Sequence, residues 1–416
     1  MIPLNLSCRA CSLSCSSLQS VSRDKLVSFA SPSSPGRPSN LRKSLFHSSS
    51  SPSRISYKIA ASATGKGRRF HPIKNAYDFD PSLHNAIGVT TEDKPLSQRR
   101  HLRPDSGEDA FFVSNIGQNP HQPGAVAFGV ADGVGGWAES RVDPADFSHG
   151  ICRYMAQAAL SWTSPAEKLR PKQLLQMGYD RVVEDKDIPA GGSTASVGVG
   201  LEDGRMELAN LGDSGSVLLR LAAVHHYSVP QSHSFNTPFQ LSVIPPHISA
   251  QTAIFGGSFL QDFPRDAAVT NMQMQHGDVL ILATDGVFDN LNNQDILKNV
   301  TGRMVVTGAW TTTPNVGISV SDSSLKQLTG PEGLAPFIRN SAAGNTVAAN
   351  TKAPTLQAVL AASLASEAKL ASLDYRRDGP FAKEAQRYFP GDYYRGGKVD
   401  DICVVVVVAV DESLGA

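Results

Sequence analysis

A short apolar segment that ends in an Asp-Gly pair is the feature that most constrains this chain. Residues 124–137 begin with small apolar side chains and end in Asp132-Gly133-Val134-Gly135-Gly136-Trp137. The apolar half is too short to span a membrane and predicts a buried strand. A carboxylate at the end of such a strand is poorly solvated and needs a partner, for which a cation is suited. The alternative interpretation is an ordinary solvated Asp-Gly turn.

Three further acidic clusters favour the cation, because each lies at one end of a strand-like apolar segment. They are Glu108-Asp109 before Phe111-Phe112-Val113, Asp285 after Val279-Leu280-Ile281-Leu282-Ala283-Thr284, and Asp400-Asp401 before Ile402. Together with Asp132 they predict one shared site made of oxygen ligands. A site without His or Cys favours Mg²⁺ or Mn²⁺ over zinc.

The motifs around these acids resemble a known family. The motifs are Glu108-Asp109-Ala110, Ala131-Asp132-Gly133-Val134-Gly135-Gly136-Trp137, Gly191-Gly192-Ser193-Thr194-Ala195, Asn210-Leu211-Gly212-Asp213-Ser214-Gly215, Thr284-Asp285-Gly286-Val287-Phe288-Asp289-Asn290 and Asp400-Asp401-Ile402. Over roughly residues 100–300 and 356–411 the chain resembles the metal-dependent protein Ser/Thr phosphatases (PPM, or type-2C, class). Two further segments resemble the mitochondrial, PTC7-like branch of that class: Phe235-Asn236-Thr237-Pro238-Phe239-Gln240-Leu241 and Arg395-Gly396-Gly397-Lys398.

The resemblance implies a fold and a metal site. The implied fold class is α+β, a four-layer α/β/β/α sandwich of two antiparallel sheets flanked by helices. The implied cofactors are two ions of Mg²⁺ or Mn²⁺. Asp132 would bridge both ions, Glu108 and the carbonyl of Gly133 would hold one, and Asp285 and Asp400 would hold the other.

The resemblance also implies how the site works. Asp132 and Asp285 would be catalytic through a metal-bound water that attacks phosphorus, and Asp109 and Asp401 would hold other bound waters. We predict that Arg103 contacts the phosphate, because a guanidinium matches phosphate oxygens in a bidentate fork, although surface arginines are common. The implied function is hydrolysis of phosphoserine and phosphothreonine in mitochondrial proteins.

Other polar residues in these motifs are interpreted as structural. Ser193 and Thr194 are possible nucleophiles, but the sequence places no base near them, which favours a buried strand start. Asp213 is interpreted as a turn residue that bonds its own backbone. Val134 and Pro104 stand where many family members have a proposed general acid His and a phosphate-binding Arg, so the general acid stays unassigned.

Two functions of other classes compete with the phosphatase. A non-catalytic pseudophosphatase that acts as a binding module predicts eroded carboxylates, whereas all of them are present. A nucleic-acid-binding protein is suggested by the basic N-terminal segment alone, since the rest of the chain lacks a basic patch interleaved with aromatic residues. The expected partners are therefore phosphorylated proteins and not nucleic acid.

Charge is distributed unevenly along the chain. The formal net charge is zero, but residues 1–75 carry twelve Lys and Arg, one acid and about twenty serines. This composition predicts a transit peptide, recognised by the import machinery and removed up to about residue 60–75. The expected compartment is the mitochondrion, with the matrix preferred and a plastid as the alternative. The other interpretation is a disordered basic tail that touches RNA or anionic lipid.

The rest of the chain is predicted to be one phosphatase domain at residues 76–411, with a tail at 412–416. Helices are expected from Asp143-Pro144 to about residue 162, over 171–183 and over 356–373, and a buried final strand over 402–410. Residues 301–355 lack core-forming periodicity and are predicted to be a low-complexity insertion or mobile flap. No apolar run reaches the length of a transmembrane helix.

Overall fold

Valine-rich and alanine-rich segments form two six-stranded antiparallel sheets in the computed structural model, which describes residues 53–117, 124–245, 260–314, 317–335 and 353–414. Strands are numbered in chain order. The first sheet contains, in spatial order, β10 (Ala223–Tyr227), β9 (Gly215–Arg220), β15 (Val279–Ala283), β18 (Ile402–Asp411), β1 (Ile55–Thr64) and β2 (Ala76–Phe79). The second contains β14 (Ala268–Gln273), β8 (Arg205–Leu211), β7 (Ala195–Gly200), β5 (Val126–Ala131), β4 (Ala110–Asn115) and β3 (Ala86–Ile87).

Shorter strand pairs and helices complete the described fold. The pairs are β13 (Leu241–Val243) with β6 (Gly191–Ser193), β11 (Ser232–Ser234) with β12 (Thr237–Pro238), and β16 (Trp310–Thr313) with β17 (Gly317–Val320). The helices are α1 (Leu96–His101), α2 (Pro144–Leu160), α3 (Pro171–Glu184), α4 (Asp285–Phe288), α5 (Asn293–Val306), α6 (Asp322–Thr329), α7 (Leu356–Leu373) and α8 (Pro380–Tyr388). Across the described ranges, none of them is long and apolar enough to cross a membrane.

The two sheets and their helices make four layers. One apolar cluster lies between the sheets and includes Phe111, Phe128 and Val405. A second joins α2 and α3 to the second sheet, and a third joins α5 and α7 to the first sheet. The predicted α/β/β/α sandwich of two antiparallel sheets flanked by helices is confirmed.

Strand β18 shows why its sequence is almost entirely valine. Alternate residues such as Val404 and Val406 face the helices, while Cys403, Val405 and Val407 face the other sheet. A strand between two buried layers has no solvent face, so both sets must be apolar. The predicted buried final strand is therefore confirmed, as are the helices that begin at Pro144, Pro171 and Leu356.

Register brings the acidic ends of four strands to one edge. In the second sheet Ala110 of β4 pairs with Ala131 of β5, so the residues before β4 and after β5 are neighbours. In the first sheet Ala283 of β15 pairs with Val404 of β18, so the residues after β15 and before β18 are also neighbours.

The predicted domain start at residue 76 is wrong. Strand β1 begins at Ile55 and pairs with β18 over its full ten residues. Its alternate side chains are apolar and buried, and it lies between β18 and β2 in the first sheet. The sequence prediction missed it because the basic residues Arg54, Lys58 and Lys66 around it match transit-peptide composition. Residues 1–52, which include most of the predicted transit peptide, lie outside the described residues.

The predicted insertion at 301–355 is also wrong over its described part. Helix α5 continues to Val306, and β16, β17 and α6 follow. Trp310 is fully buried and its indole nitrogen donates to the carbonyl of Gly277 at 3.2 Å. Leu325 and Leu328 of α6 join the same apolar cluster as α7. These side chains are too few and too widely spaced to produce a clear period, and residues 336–352 lie outside the described residues.

Candidate active site

The turn after β5 holds Asp132 against the segment that precedes β4. The backbone nitrogen of Gly133 donates to the carbonyl of Glu108 at 3.2 Å. A Cβ atom at Gly133 would lie 2.7 Å from that carbonyl oxygen, which is too close, so the turn requires glycine here. The sequence Asp-Gly is thus what allows the two acidic segments to approach each other.

Hydrogen bonds also join the acidic segments of the two sheets. The hydroxyl of Thr284 donates to Asp109 Oδ2 at 2.7 Å. The backbone nitrogen of Glu108 donates to Asp401 Oδ2 at 2.7 Å. Because each bond connects a residue near one sheet to a residue near the other, the carboxylates are held at one edge of the sandwich.

We call this group of carboxylates the acidic site. Its members are Glu108, Asp109, Asp132, Asp213, Asp285, Asp289, Asp400 and Asp401. Asp132 and Asp285 are both buried and lie close enough for the ionisation of one to affect the pKa of the other. Burial, and next the charge of Asp285, raise the pKa of Asp132 well above its usual range. Such a shift is typical of carboxylates that lack enough positive charge nearby.

Asp109 shows the same shortage of positive charge. Burial, and next the charge of Asp401, raise the pKa of Asp109 well above its usual range. Only 1% of Asp109 is exposed, and within the described ranges its Oδ1 atom has no hydrogen-bond partner. A buried carboxylate oxygen without a partner is costly.

The main cation in the acidic site is Lys398. Its ammonium donates to Asp285 Oδ2 and Asp289 Oδ2, both at 2.6 Å, and lies 3.1 Å from Asp400 Oδ2. Although burial acts to raise the pKa of Asp285, the charge of Lys398 brings it below its usual range. Although burial acts to lower the pKa of Lys398, the three carboxylates raise it.

The donor chemistry of the acidic site fits divalent cations of the Mg²⁺ and Mn²⁺ type. All side-chain atoms of the acidic site that could coordinate a metal are carboxylate oxygens. Among the described residues, Asp109 Oδ1 and Asp213 Oδ1 have no hydrogen-bond partner. In that part of the chain no group of His, Cys, Asp and Glu side chains is already arranged to hold a metal ion. Two of the expected ligands, Asp285 and Asp400, are turned to Lys398 instead.

The structure places the predicted phosphate contact, Arg103, among carboxylates. Its guanidinium donates to Asp143 Oδ2 at 3.2 Å and also to Asp146, both at the start of α2. Arg100 donates to Asp146 Oδ1 at 3.0 Å. A phosphate contact by Arg103 would therefore have to compete with these ion pairs, and the assignment stays a prediction.

Ser193 and Thr194 support the turn that carries Asp132. Both are buried. The Thr194 nitrogen donates to the Asp132 carbonyl at 3.0 Å, and its hydroxyl accepts from the Asp132 nitrogen at 3.2 Å. These contacts agree with the structural role expected for the start of a buried strand.

Two members of the acidic site, Asp213 and Asp289, and the cation within it, Lys398, were not assigned to the site from the sequence. Asp213 was expected to be only a turn residue, but its pKa responds to the charge of Asp285, so its carboxyl group lies within the acidic site. The signal for Asp213 was present, since it follows the apolar strand β8 as Asp132 follows β5. Asp289 lies four residues after Asp285 at the end of α4, a spacing that places two side chains on one helix face.

The pKa of Asp213 leads to a prediction about stability. Burial, and next the charge of Asp285, raise this pKa to about 7. The folded chain therefore keeps a proton that the unfolded chain releases, so Asp213 lowers stability as pH rises from about 4 to 7. We expect D213N to raise the unfolding temperature in EDTA at pH 8 and to change it little at pH 4.5. An equal change at both pH values, measured by circular dichroism, would contradict this assignment.

Comparison with known proteins identifies the family. No family model matches the chain. It is 35% identical over 198 residues to protein phosphatase 2C homolog 7, mitochondrial, from Saccharomyces cerevisiae, a match that covers 47% of this chain and 56% of the yeast protein. It is 32% identical over 307 residues to the protein phosphatase PTC7 homolog of Xenopus laevis, covering 73% of this chain and 82% of the frog protein.

The chain therefore belongs to the type-2C protein phosphatases. Within that class the frog relative is named a PTC7 homolog, and PTC7 is the branch that the sequence motifs resemble. The chain matches only a little more than half the length of the yeast relative. Among solved structures, the X-ray structure of the photosystem II phosphatase PBCP is similar with a TM-score of 0.49 and 23% identity, covering 76% of this chain and 95% of that one.

Proposed function

We propose that this chain is a protein serine/threonine phosphatase that hydrolyses phosphoserine and phosphothreonine with the help of two ions of Mg²⁺ or Mn²⁺. The observation that carries the proposal is the convergence of four acidic strand ends at one edge of the sandwich. The family of the chain supports the same reaction. The chemistry that divalent cations supply in such a site is activation of water and neutralisation of phosphoryl charge.

The residues proposed to hold the two ions are those predicted from the sequence. Asp132 would be the shared ligand, because its turn is fixed by Gly133 and its carboxyl lies near enough to Asp285 for the charge of Asp285 to raise its pKa. Glu108 and the Gly133 carbonyl belong to one ion, and Asp285 and Asp400 to the other. Asp109 and Asp401 connect the two sheets behind these ligands and orient them through Thr284 and the backbone of Glu108.

The cellular setting is also a proposal. The basic, serine-rich residues 1–52 and the name of the yeast relative, which calls it mitochondrial, support import into the mitochondrion, with the matrix as the preferred compartment. The proposed partners are phosphorylated proteins and, during import, the import machinery. Because β1 begins at Ile55, we place the end of any removed segment before that residue.

A phosphate-release assay tests the proposed reaction. The full chain is incubated with phosphoserine and phosphothreonine peptides, with Mn²⁺ or Mg²⁺ added or with EDTA. We expect inorganic phosphate to be released with either cation and not with EDTA. A cooperatively folded protein that releases none with either cation would overturn the proposal and favour the non-catalytic binding module.

A further inference from the structure

One lysine, Lys398, is surrounded by three carboxylates of the acidic site. Its ammonium lies 2.6 Å from Asp285 Oδ2, 2.6 Å from Asp289 Oδ2 and 3.1 Å from Asp400 Oδ2. Only 18% of the Lys398 side chain is exposed. The ammonium donates hydrogen bonds to Asp285 and Asp289 and forms an ion pair with Asp400, so three carboxylates share one cation.

The backbone is built to bring this lysine into the site. Gly396 has a φ angle of +86°, which favours glycine. A Cβ atom at Gly397 would lie 2.1 Å from the carbonyl oxygen of Ala371, so only glycine allows the chain to pass the end of α7 here. The family motif Arg395-Gly396-Gly397-Lys398 therefore has a physical explanation in the placement of its last residue.

Asn290 fixes the backbone of Lys398 from the other side. Its amide oxygen accepts from the Lys398 nitrogen at 2.9 Å, and its amide nitrogen donates to the Lys398 carbonyl, also at 2.9 Å. Asn290 is itself buried and bonds the carbonyl of Gly286 in α4. The lysine is thus anchored to the helix that begins with Asp285.

We propose that Lys398 is a built-in counter-ion that competes with a divalent cation for Asp285 and Asp400, and thereby sets how tightly the site binds that cation. This inference rests on the proposed function, in which those two carboxylates are metal ligands. An ammonium and a divalent cation repel each other. The carboxylate oxygens that face Lys398 must therefore lose their ion pair with it before they can coordinate a metal.

The ammonium also has a contact that involves no carboxylate. Lys398 Nζ lies 5.0 Å from the centre of the Phe381 ring, at the start of α8. An aromatic face attracts a cation, so Lys398 keeps a favourable contact when the carboxylates turn away from it. Competition therefore requires only a side-chain movement, while Asn290 continues to hold the backbone.

Lys66 provides a matched control for the loss of one positive charge near the same carboxylate. Its ammonium lies 3.8 Å from Asp400 Oδ1, but 62% of its side chain is exposed. An exposed ion pair contributes little, because solvent screens it. If any positive charge near Asp400 weakened Mn²⁺ binding equally, K66M and K398M would change the Mn²⁺ affinity by the same amount.

The test measures binding of Mn²⁺ by isothermal titration calorimetry and thermal unfolding in EDTA, for the full chain and its variants. We expect K398M to bind Mn²⁺ about tenfold more tightly than wild type or better, because a competing charge is gone. We expect its unfolding temperature in EDTA to fall by roughly 5 °C, because three carboxylates lose their shared partner. K66M should stay close to wild type in both measurements. K398R keeps the positive charge and should bind Mn²⁺ about as tightly as wild type does.

Each other outcome has a clear meaning. Equal or weaker Mn²⁺ binding by K398M overturns the competition while leaving the proposed function intact if wild type still releases phosphate with Mn²⁺. Weaker binding of phosphopeptide with unchanged Mn²⁺ affinity would also overturn it and assign Lys398 to the substrate. Absence of Mn²⁺ binding in every variant would instead overturn the proposed metal site itself. K398Q repeats the measurement if K398M does not fold in EDTA.

Discussion

Replacing Asp132 by Asn is expected to lower phosphopeptide turnover by at least about a hundredfold at saturating Mn²⁺. Asparagine keeps the shape of the side chain but removes the charge that would offset two divalent ions. Asp132 already lies beside Asp285, and its turn is fixed by contacts of Gly133 and Thr194, so a substitute ligand cannot move in easily. Loss of a shared ligand weakens metal binding and water activation together.

Stability should respond in the opposite direction from activity. Burial raises the pKa of Asp132 well above its usual range, which means that its ionised form is unfavourable in the folded chain. D132N should therefore unfold in EDTA at a temperature equal to or higher than that of wild type. Asp203 supplies a control, since it lies in the turn between β7 and β8 and 52% of its side chain is exposed. Turnover by D132N within tenfold of that of wild type and D203N would contradict the assignment of Asp132 as the shared ligand.

The parts of the structure that could be predicted from the sequence are those where one physical rule dominates. The buried strand before Asp132 and residues 402–410 of the valine-rich β18 have no charged or strongly polar positions, as expected of strands between two layers. Helix α2 begins at a capping Asp143 followed by proline, and the structure starts it there. The acidic strand ends were found for the same reason, because each follows or precedes an unmistakable apolar run.

The parts that were missed depend on contacts between distant segments. Strand β1 looks like transit-peptide sequence because its charges are local, whereas its pairing with β18 joins residues more than 300 positions apart. Trp310 lies in a polar segment, and only the tertiary fold shows that it is buried. The motif that contains Lys398 does not show what the lysine does, because its role depends on Gly396, Gly397 and Asn290 bringing it to three carboxylates. No local pattern records any of these contacts.

Removal of residues 1–75 is expected to prevent folding, whereas removal of residues 1–52 should leave a folded phosphatase. Strand β1 pairs with β18 from Ile55–Asp411 to Thr64–Ile402 and also pairs with β2. Burial of a large apolar side chain such as Ile59 contributes about 1.5–3 kcal/mol, and β1 buries several apolar side chains at once. Their sum is comparable to the total stability of about 5–15 kcal/mol that a typical domain has.

Loss of β1 should also cause aggregation, because it exposes one edge of β18. That strand is long, apolar and without charge from Ile402 to Val410, which are the properties that promote pairing with other chains. We therefore expect the chain that starts at residue 76 to be insoluble, and the chain that starts at residue 53 to be soluble and to unfold cooperatively in calorimetry. A soluble chain from residue 76 with an unfolding temperature near that of the longer chain would show that β1 is dispensable. N-terminal sequencing of the protein purified from mitochondria gives an independent check, since a mature end after residue 55 would remove part of the strand.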